Sequence, residues 1–123
     1  MDLKELSKDQ LIGMIDDFAK NWLVHDGLWF QAVEHDFGME AAIKCDTDAW
    51  RTFTVIEAKR IMKRHNIPEN GGLDGLKKAL GFRLYSRLNI QSIINETENS
   101  FEFQMNDCRV QSARKRHGLS DFP

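Results

Sequence analysis

Residues 9–37 read DQLIGMIDDFAKNWLVHDGLWFQAVEHDF, and this stretch decides the fold of the first third of the chain. At about 100° per residue, its large apolar side chains fall along one side of a helix. The centre of this arc consists of Leu11, Ile15, Phe18, Trp22, Trp29 and Val33, and its margins are Ile12, Ala19, Leu23, Phe30 and Phe37. An arc of this width predicts a long helix with one face covered by a core.

A carboxylate interrupts the apolar arc of this first helix. Asp26 lies near the centre of the arc, His25 lies at its margin, and Gly27 follows directly. A carboxylate on an apolar face is costly to bury unless it is paired, protonated or bound to a cation. The sequence therefore points to a functional site here, and Gly27 predicts either a kink or the close approach of a neighbouring backbone.

A second helix repeats the same feature. Asp46 or Thr47 can cap its start, and the apolar spacing continues to about His65. Glu57 falls on the apolar face of this helix among aromatic and aliphatic residues. We therefore expect the two long helices to pack together and to bring Asp26 close to Glu57.

The rest of the chain changes from helical to alternating spacing. Residues 73–80 form a short helical pattern, and residues 88–97 and 100–107 alternate apolar with polar side chains. Residues 109–117 form a short basic helix that ends at Gly118. The predicted fold class is α+β: two long packed helices and a short helix, then a C-terminal antiparallel β-hairpin and a short basic helix, all in a single domain of residues 1–123.

Composition and charge exclude several classes of protein. The 123 residues have a formal net charge of −2, but residues 1–50 carry −7 and residues 51–123 carry +5. No apolar run approaches the roughly 20 residues of a membrane span, and the N-terminus has no secretory layout. Two cysteines 63 positions apart do not form a disulfide framework. These features predict a cytoplasmic protein with free thiols and no membrane partner.

Two interpretations fit the polar residues of the long helices. His25, Asp26 and Glu57 on facing helices could bind a divalent metal or a small ligand, and Trp29 and Arg109 could contribute to such a ligand site. No strong helical metal spacing such as H-E-x-x-H is present. A buried hydrogen-bonded network that fixes how the helices pack explains the same residues without a ligand.

Cys108 is the candidate nucleophile of an enzyme. It follows the second strand, and Arg109 or a helix beginning there would favour its thiolate form. His25 or His117 could then act as the base of a hydrolase-like reaction. A cysteine also serves as a small buried apolar residue, and the chain contains no C-x-x-C spacing.

The basic C-terminal segment could contact phosphate groups of a nucleic acid or a small ligand. Its members are Arg109, Arg114, Lys115, Arg116 and His117. The cluster is short, no aromatic platform accompanies it, and the chain as a whole is acidic. A solvated helix face, or a partner for the acidic first half, explains it better, so we expect no nucleic-acid partner.

Three segments carry a resemblance to a known family. They read NWLVHDGLWFQAVEHDFGMEAA (21–42), WRTFTVIEAKRIM (50–62) and FQMNDCRVQSARKRHGLSDFP (103–123). They resemble an uncharacterised family of cytosolic bacterial and archaeal proteins, and the architecture is more distantly similar to 4-vinyl-reductase-like and 2-amino-thiazoline-4-carboxylate hydrolase-like domains. The resemblance implies a chain that continues beyond Pro123 into a further cysteine-containing segment, and it implies no reaction.

Three classes of function follow from these observations. The first is a small ligand- or metal-binding domain with its site between the helices. The second is a hydrolase-like enzyme that uses Cys108. The third is a structural or interaction module that forms a homodimer through the unpaired edge of the hairpin.

Overall fold

The computed structural model describes all residues, Met1–Pro123, and consists of four α-helices and one two-stranded antiparallel sheet. The elements are α1 (Lys8–Phe37), α2 (Met39–His65), α3 (Gly72–Gly81), β1 (Ile90–Ile94), β2 (Glu102–Asp107) and α4 (Arg109–Arg116), with short 3-10 helices at Leu3–Glu5 and Leu84–Arg87. This order confirms the α+β class and the C-terminal hairpin and basic helix. None of the helices combines the length and apolar character needed to cross a membrane.

The chain divides into two compact units, Met1–Ala42 and Ile43–Pro123. The first unit contains α1 and the start of α2, and the second contains the rest of α2 with the hairpin, α3 and α4. The single-domain organisation and the packing of the two long helices against each other stay predictions.

A reciprocal cap begins α1. The Ser7 hydroxyl accepts a hydrogen bond from the Gln10 backbone N–H (3.2 Å), and the Gln10 side chain accepts one from the Ser7 N–H (2.9 Å). The helix then continues through Gly27 to Phe37. A methyl group placed at Gly27 would meet no atom within 4 Å. The expectation of close backbone approach at Gly27 was therefore wrong, and the alternative of a kink stays a prediction.

The second long helix begins earlier than the sequence predicted. Gly38 adopts a φ of 89°, which separates α1 from α2, and α2 then runs from Met39 instead of from Asp46 or Thr47. Residues 39–46 contain no helix breaker, since Ala41 and Ala42 favour the helix. The Lys44 ammonium also contacts the Asp48 carboxylate at 2.9 Å across one turn. Asp48 therefore lies in the helix interior and stabilises it there.

The C-terminal end of α2 is joined to α3. Asn66 adopts a positive φ of 53° that ends α2. The Lys78 ammonium donates a hydrogen bond to the His65 carbonyl (3.2 Å), and the His65 ring stacks on Phe82 with centroids 3.5 Å apart. The Ile67 side chain lies against Gly75, where an added methyl would approach it to 3.3 Å. These contacts position the segment that follows α3 beside α2.

The hairpin is shorter than the alternating pattern predicted. The 3-10 helix Leu84–Arg87 precedes β1. The Leu88 N–H donates a hydrogen bond to the Tyr85 carbonyl (3.1 Å), so it is not available to pair with the opposite strand. Asn95, with a φ of 49°, ends β1. The connecting loop closes where the Thr97 N–H donates to the Ser100 carbonyl at 2.8 Å.

Candidate functional site

The Glu57 carboxylate joins α2 to the 3-10 helix Leu84–Arg87. Its Oε1 accepts a hydrogen bond from Arg83 Nε (2.8 Å), and its Oε2 accepts one from the Leu84 backbone N–H (3.2 Å). The Glu57 side chain is only 12% exposed. Both carboxylate oxygens are thus occupied within the second unit, so the misfit of Glu57 on an apolar face is resolved by a structural ion pair.

A group of aromatic rings continues from the Arg83 side of this ion pair. Trp50 makes an edge contact with Phe53 (centroids 5.0 Å apart) and stacks on Tyr85 (5.6 Å). The Arg83 guanidinium lies 5.8 Å from the centre of the Tyr85 ring. We call the i, i+3, i+7, i+11 series Trp50, Phe53, Glu57 and Ile61 the α2 stripe. Each of its members is at least half-buried. The residues that contact the stripe, Arg83 to Tyr85, belong to the second unit, as the stripe does.

A shallow open groove follows the N-terminal part of the α2 stripe. It is lined by Asp46, Thr47, Trp50, Arg51 and Thr54. Burial raises the pKa of the Asp46 carboxyl above its ordinary value, and a hydrogen bond with Trp50 partly offsets this rise. All five lining residues belong to one helix, so the groove does not enclose a ligand on several sides, as small-molecule pockets do.

His25 and Trp29 share one side of α1, and Asp26 lies beside them towards a more buried side. Asp26 is half-buried on the side of the helix that also carries the buried Ala19 and Phe30, whereas His25 and Trp29 are exposed. Within each unit, no group of three or more His, Cys, Asp or Glu side chains is arranged to hold a metal ion. Because Asp26 and Glu57 belong to different units, their predicted approach stays a prediction.

Cys108 lies at the N-cap position of α4 and is half-buried, and its thiol makes no capping hydrogen bond. The Arg109 backbone N–H donates to the Asn89 side-chain oxygen (2.8 Å), which fixes the start of α4, and the Arg109 residue is exposed. His117 follows the other end of α4, and nine residues of helix span about 13 Å. Direct proton transfer between Cys108 and His117 is therefore excluded by distance.

Part of the basic segment has a structural role that the sequence did not predict. Arg114 is only 4% exposed, and its Nε donates a hydrogen bond to the Ser120 carbonyl (2.6 Å). Gln111 bonds the backbone of Phe122 in both directions, at 2.6 and 2.8 Å. The segment after Gly118 is thus held along α4, and Arg114 is not presented to phosphate groups. Lys115, Arg116 and His117 are exposed.

A series of residues spaced by four and three positions runs along α1. We call Leu11, Ile15, Phe18, Trp22, His25 and Trp29 the α1 stripe. Ile15 is 54% exposed, Phe18 is 64% exposed and Trp29 is 67% exposed. The sequence predicted these apolar positions as covered core, and the finding of large exposed side chains here corrects that expectation. Exposure cannot be read from periodicity, because a core face and an interface have the same spacing.

Comparison with known proteins gives one match. The profile of a family of unknown function, DUF6125, matches residues 4–123. The chain belongs to the DUF6125 family. No curated protein and no solved structure matches this DUF6125 chain. The predicted membership of an uncharacterised family is thereby confirmed, while the bacterial or archaeal origin and the distant likeness to the reductase-like and hydrolase-like domains stay predictions.

Proposed function

We propose that this DUF6125 chain is a protein-interaction module that uses the α1 stripe as its contact surface. The observation that carries the proposal is the exposure of Ile15, Phe18 and Trp29, each more than half accessible and all on one line of the helix. Large aromatic residues are enriched at interfaces, where they supply most of the binding free energy.

The size of this surface is that of the largest apolar patch on a typical soluble monomer, and such patches often have a function. An aromatic side chain presents about 150–250 Å², so the three side chains together expose on the order of 400 Å² of mostly apolar surface. Soluble monomers rarely expose larger contiguous apolar patches than this. A helix that keeps such a line in water gains stability when another polypeptide covers it.

The hairpin edge is a weaker contact surface than the α1 stripe. Every residue of β2 is exposed, and β2 pairs only with β1. However, β2 carries the charged residues Glu102 and Asp107 at its two ends, and between them the amides Gln104 and Asn106 alternate with Phe103 and Met105. Short strands with charged side chains are the usual way in which an exposed edge avoids pairing with another chain.

Position-specific photocrosslinking in the native host tests the proposal. A benzoylphenylalanine at Phe18 should give one discrete adduct, because Phe18 lies on the contact surface. The same group at Val24 should give none, since Val24 is 59% exposed but lies about 120° around the helix from Phe18. Equal labelling from the two positions, or no adduct from Phe18, would contradict an interaction function for this stripe.

A ligand or metal site that includes His25, Asp26 and Glu57, with Trp29 and Arg109 nearby, is the second candidate. It is motivated by two carboxylates that are half-buried on helices with apolar stripes, and at Glu57 the ligand would have to displace Arg83 or the Leu84 N–H. Saturation with Zn²⁺ or Mn²⁺ at about 100 times the dissociation constant should stabilise the fold by about 2.7 kcal/mol, and Asp26→Asn should abolish this gain. Unchanged melting temperatures with both metals and with small-ligand screens would remove this candidate.

A further inference from the structure

We propose that the partner covering the α1 stripe is the α1 stripe of a second copy of this chain. The inference rests on the interaction function proposed above and names its partner. Its first support is the spacing of the stripe, which alternates four and three residues from Leu11 to Trp29. This alternation places side chains along a seam that fits a second helix of the same kind.

The positions beside the seam permit two copies to approach despite the acidic character of the first unit. One flank of the stripe carries Met14, Asn21, Leu28 and His35, and the other carries Ile12, Ala19, Asp26 and Val33. Asp26 is the one carboxylate among these eight residues. Asp36 lies on the line of the stripe, seven residues after Trp29, where its carboxylate contacts His35 Nδ1 at 2.8 Å. The other acids of α1, such as Asp16 and Asp17, lie farther around the helix, where repulsion between two copies is screened by salt.

The exposed stripe residues supply about two thirds of the area that a specific dimer interface needs. Two copies of the three most exposed stripe residues contribute on the order of 800 Å². The apolar flanking residues Met14, Leu28 and Ala32 extend the contact towards the roughly 1,200 Å² at which specific interfaces begin. A symmetric contact between identical patches closes on itself, so the assembly stops at two chains.

The stripe favours an antiparallel arrangement of the two helices. A parallel pair would place His25 opposite His25, whereas an antiparallel pair places His25 opposite Trp22 and Phe18 opposite Trp29. Antiparallel helices also align their dipoles favourably. His25 is then the polar residue in an otherwise apolar seam, and such a residue fixes the alignment at a cost in affinity.

Sedimentation equilibrium of the purified chain tests the inference. The wild type should have twice the 14.3 kDa mass of one chain, and Phe18→Glu or Trp29→Glu should weaken association at least 100-fold. Val24→Glu is the matched control, since it adds the same charge at a similarly exposed apolar position and should leave the dimer intact. His25→Leu should strengthen association about tenfold. Circular dichroism checks that each variant keeps its helices.

Two results would overturn the inference in distinguishable ways. A monomeric wild type, together with a Phe18 photoadduct whose mass differs from two chains, would reject the second copy but keep the interaction function. A monomer without any adduct would reject both. A dimer that Val24→Glu disrupts and Phe18→Glu leaves intact would place the interface elsewhere. The antiparallel arrangement is tested in a background that lacks Cys45 and Cys108. When Ile15→Cys chains are mixed with Ala32→Cys chains, a disulfide should form between the two kinds of chain. A disulfide between two Ile15→Cys chains would contradict the antiparallel arrangement.

Discussion

The α1 stripe and the α2 stripe have similar sequences and different surroundings. The α1 stripe places three aromatic side chains and a histidine on one line of a long helix, and the α2 stripe places two aromatic side chains and a glutamate on one line. The α2 stripe meets an aromatic ring, a guanidinium and a backbone N–H of its own unit, whereas Phe18 and Trp29 of the α1 stripe are about two-thirds exposed. The difference shows that spacing determines which residues share a face, while the partner of that face depends on contacts distant in sequence.

Replacing one tryptophan on each stripe gives the largest expected contrast. Trp50→Ala removes two ring contacts in the second unit and should lower the free energy of unfolding by about 3 kcal/mol. Trp29→Ala removes a side chain that is mostly in water and should cost about 0.5 kcal/mol at protein concentrations where the chain is monomeric. Urea denaturation measures both. Equal losses for the two variants would contradict the contrast between the stripes.

The Glu57 carboxylate tests whether the covered stripe depends on its ion pair. Glu57→Ala leaves the Arg83 guanidinium and the Leu84 N–H without their acceptor, and it should destabilise the chain by about 2 kcal/mol. Glu57→Gln keeps an acceptor oxygen and should cost less. If both variants unfold at the urea concentration of the wild type, the ion pair contributes nothing to the fold.

Gly27 offers a stabilising change that leaves the α1 stripe untouched. An added methyl meets no atom within 4 Å, and the residue lies inside a continuous helix. Gly27→Ala should therefore raise the free energy of unfolding by about 1 kcal/mol, as the helix propensities of the two residues require. Thermal melting followed by circular dichroism measures the change. A lower melting temperature would show that α1 needs the glycine.

Asp46 gives the smallest expected effect, and its sign depends on pH. Because burial raises the pKa of Asp46 in the folded chain above the ordinary 3.8, its ionisation weakens the fold as pH rises above that value. Asp46→Asn should therefore be slightly more stable than the wild type at pH 7 and equal to it below pH 3.8. A stability difference that stays constant across this range would contradict the assigned cause.

Much of the fold could be predicted from local sequence. The helical periodicity of residues 9–37 and the alternation around the hairpin are short-range signals, and the structure confirms the elements that they predict. The start of α2 at Met39 was missed because Asp46 and Thr47 fit an N-cap as well as a helix interior. The intrinsic preference of Asp and Thr does not decide between an N-cap and a helix interior when a side-chain ion pair stabilises the helix around them.

The candidate site was less predictable because its contacts are distant in sequence. Glu57 was identified as unusual, but its partner Arg83 lies 26 residues later and carries no motif. The same limit applies to Arg114, which looked like part of a basic surface and instead holds the Ser120 carbonyl. An apolar line such as the α1 stripe gives no sequence signal for whether its partner is internal or a second chain.

The dependence of stability on protein concentration tests the central claim most directly. If the α1 stripe is a self-contact, a hundredfold rise in concentration above the dissociation constant should stabilise the wild type and Trp50→Ala by about 2.7 kcal/mol per mole of dimer, or about 1.4 kcal/mol per chain, since dimerisation favours the folded state by mass action. Trp29→Ala should show no such dependence. A wild type whose urea midpoint is independent of concentration, or a Trp29→Ala variant that keeps the dependence, would contradict the account.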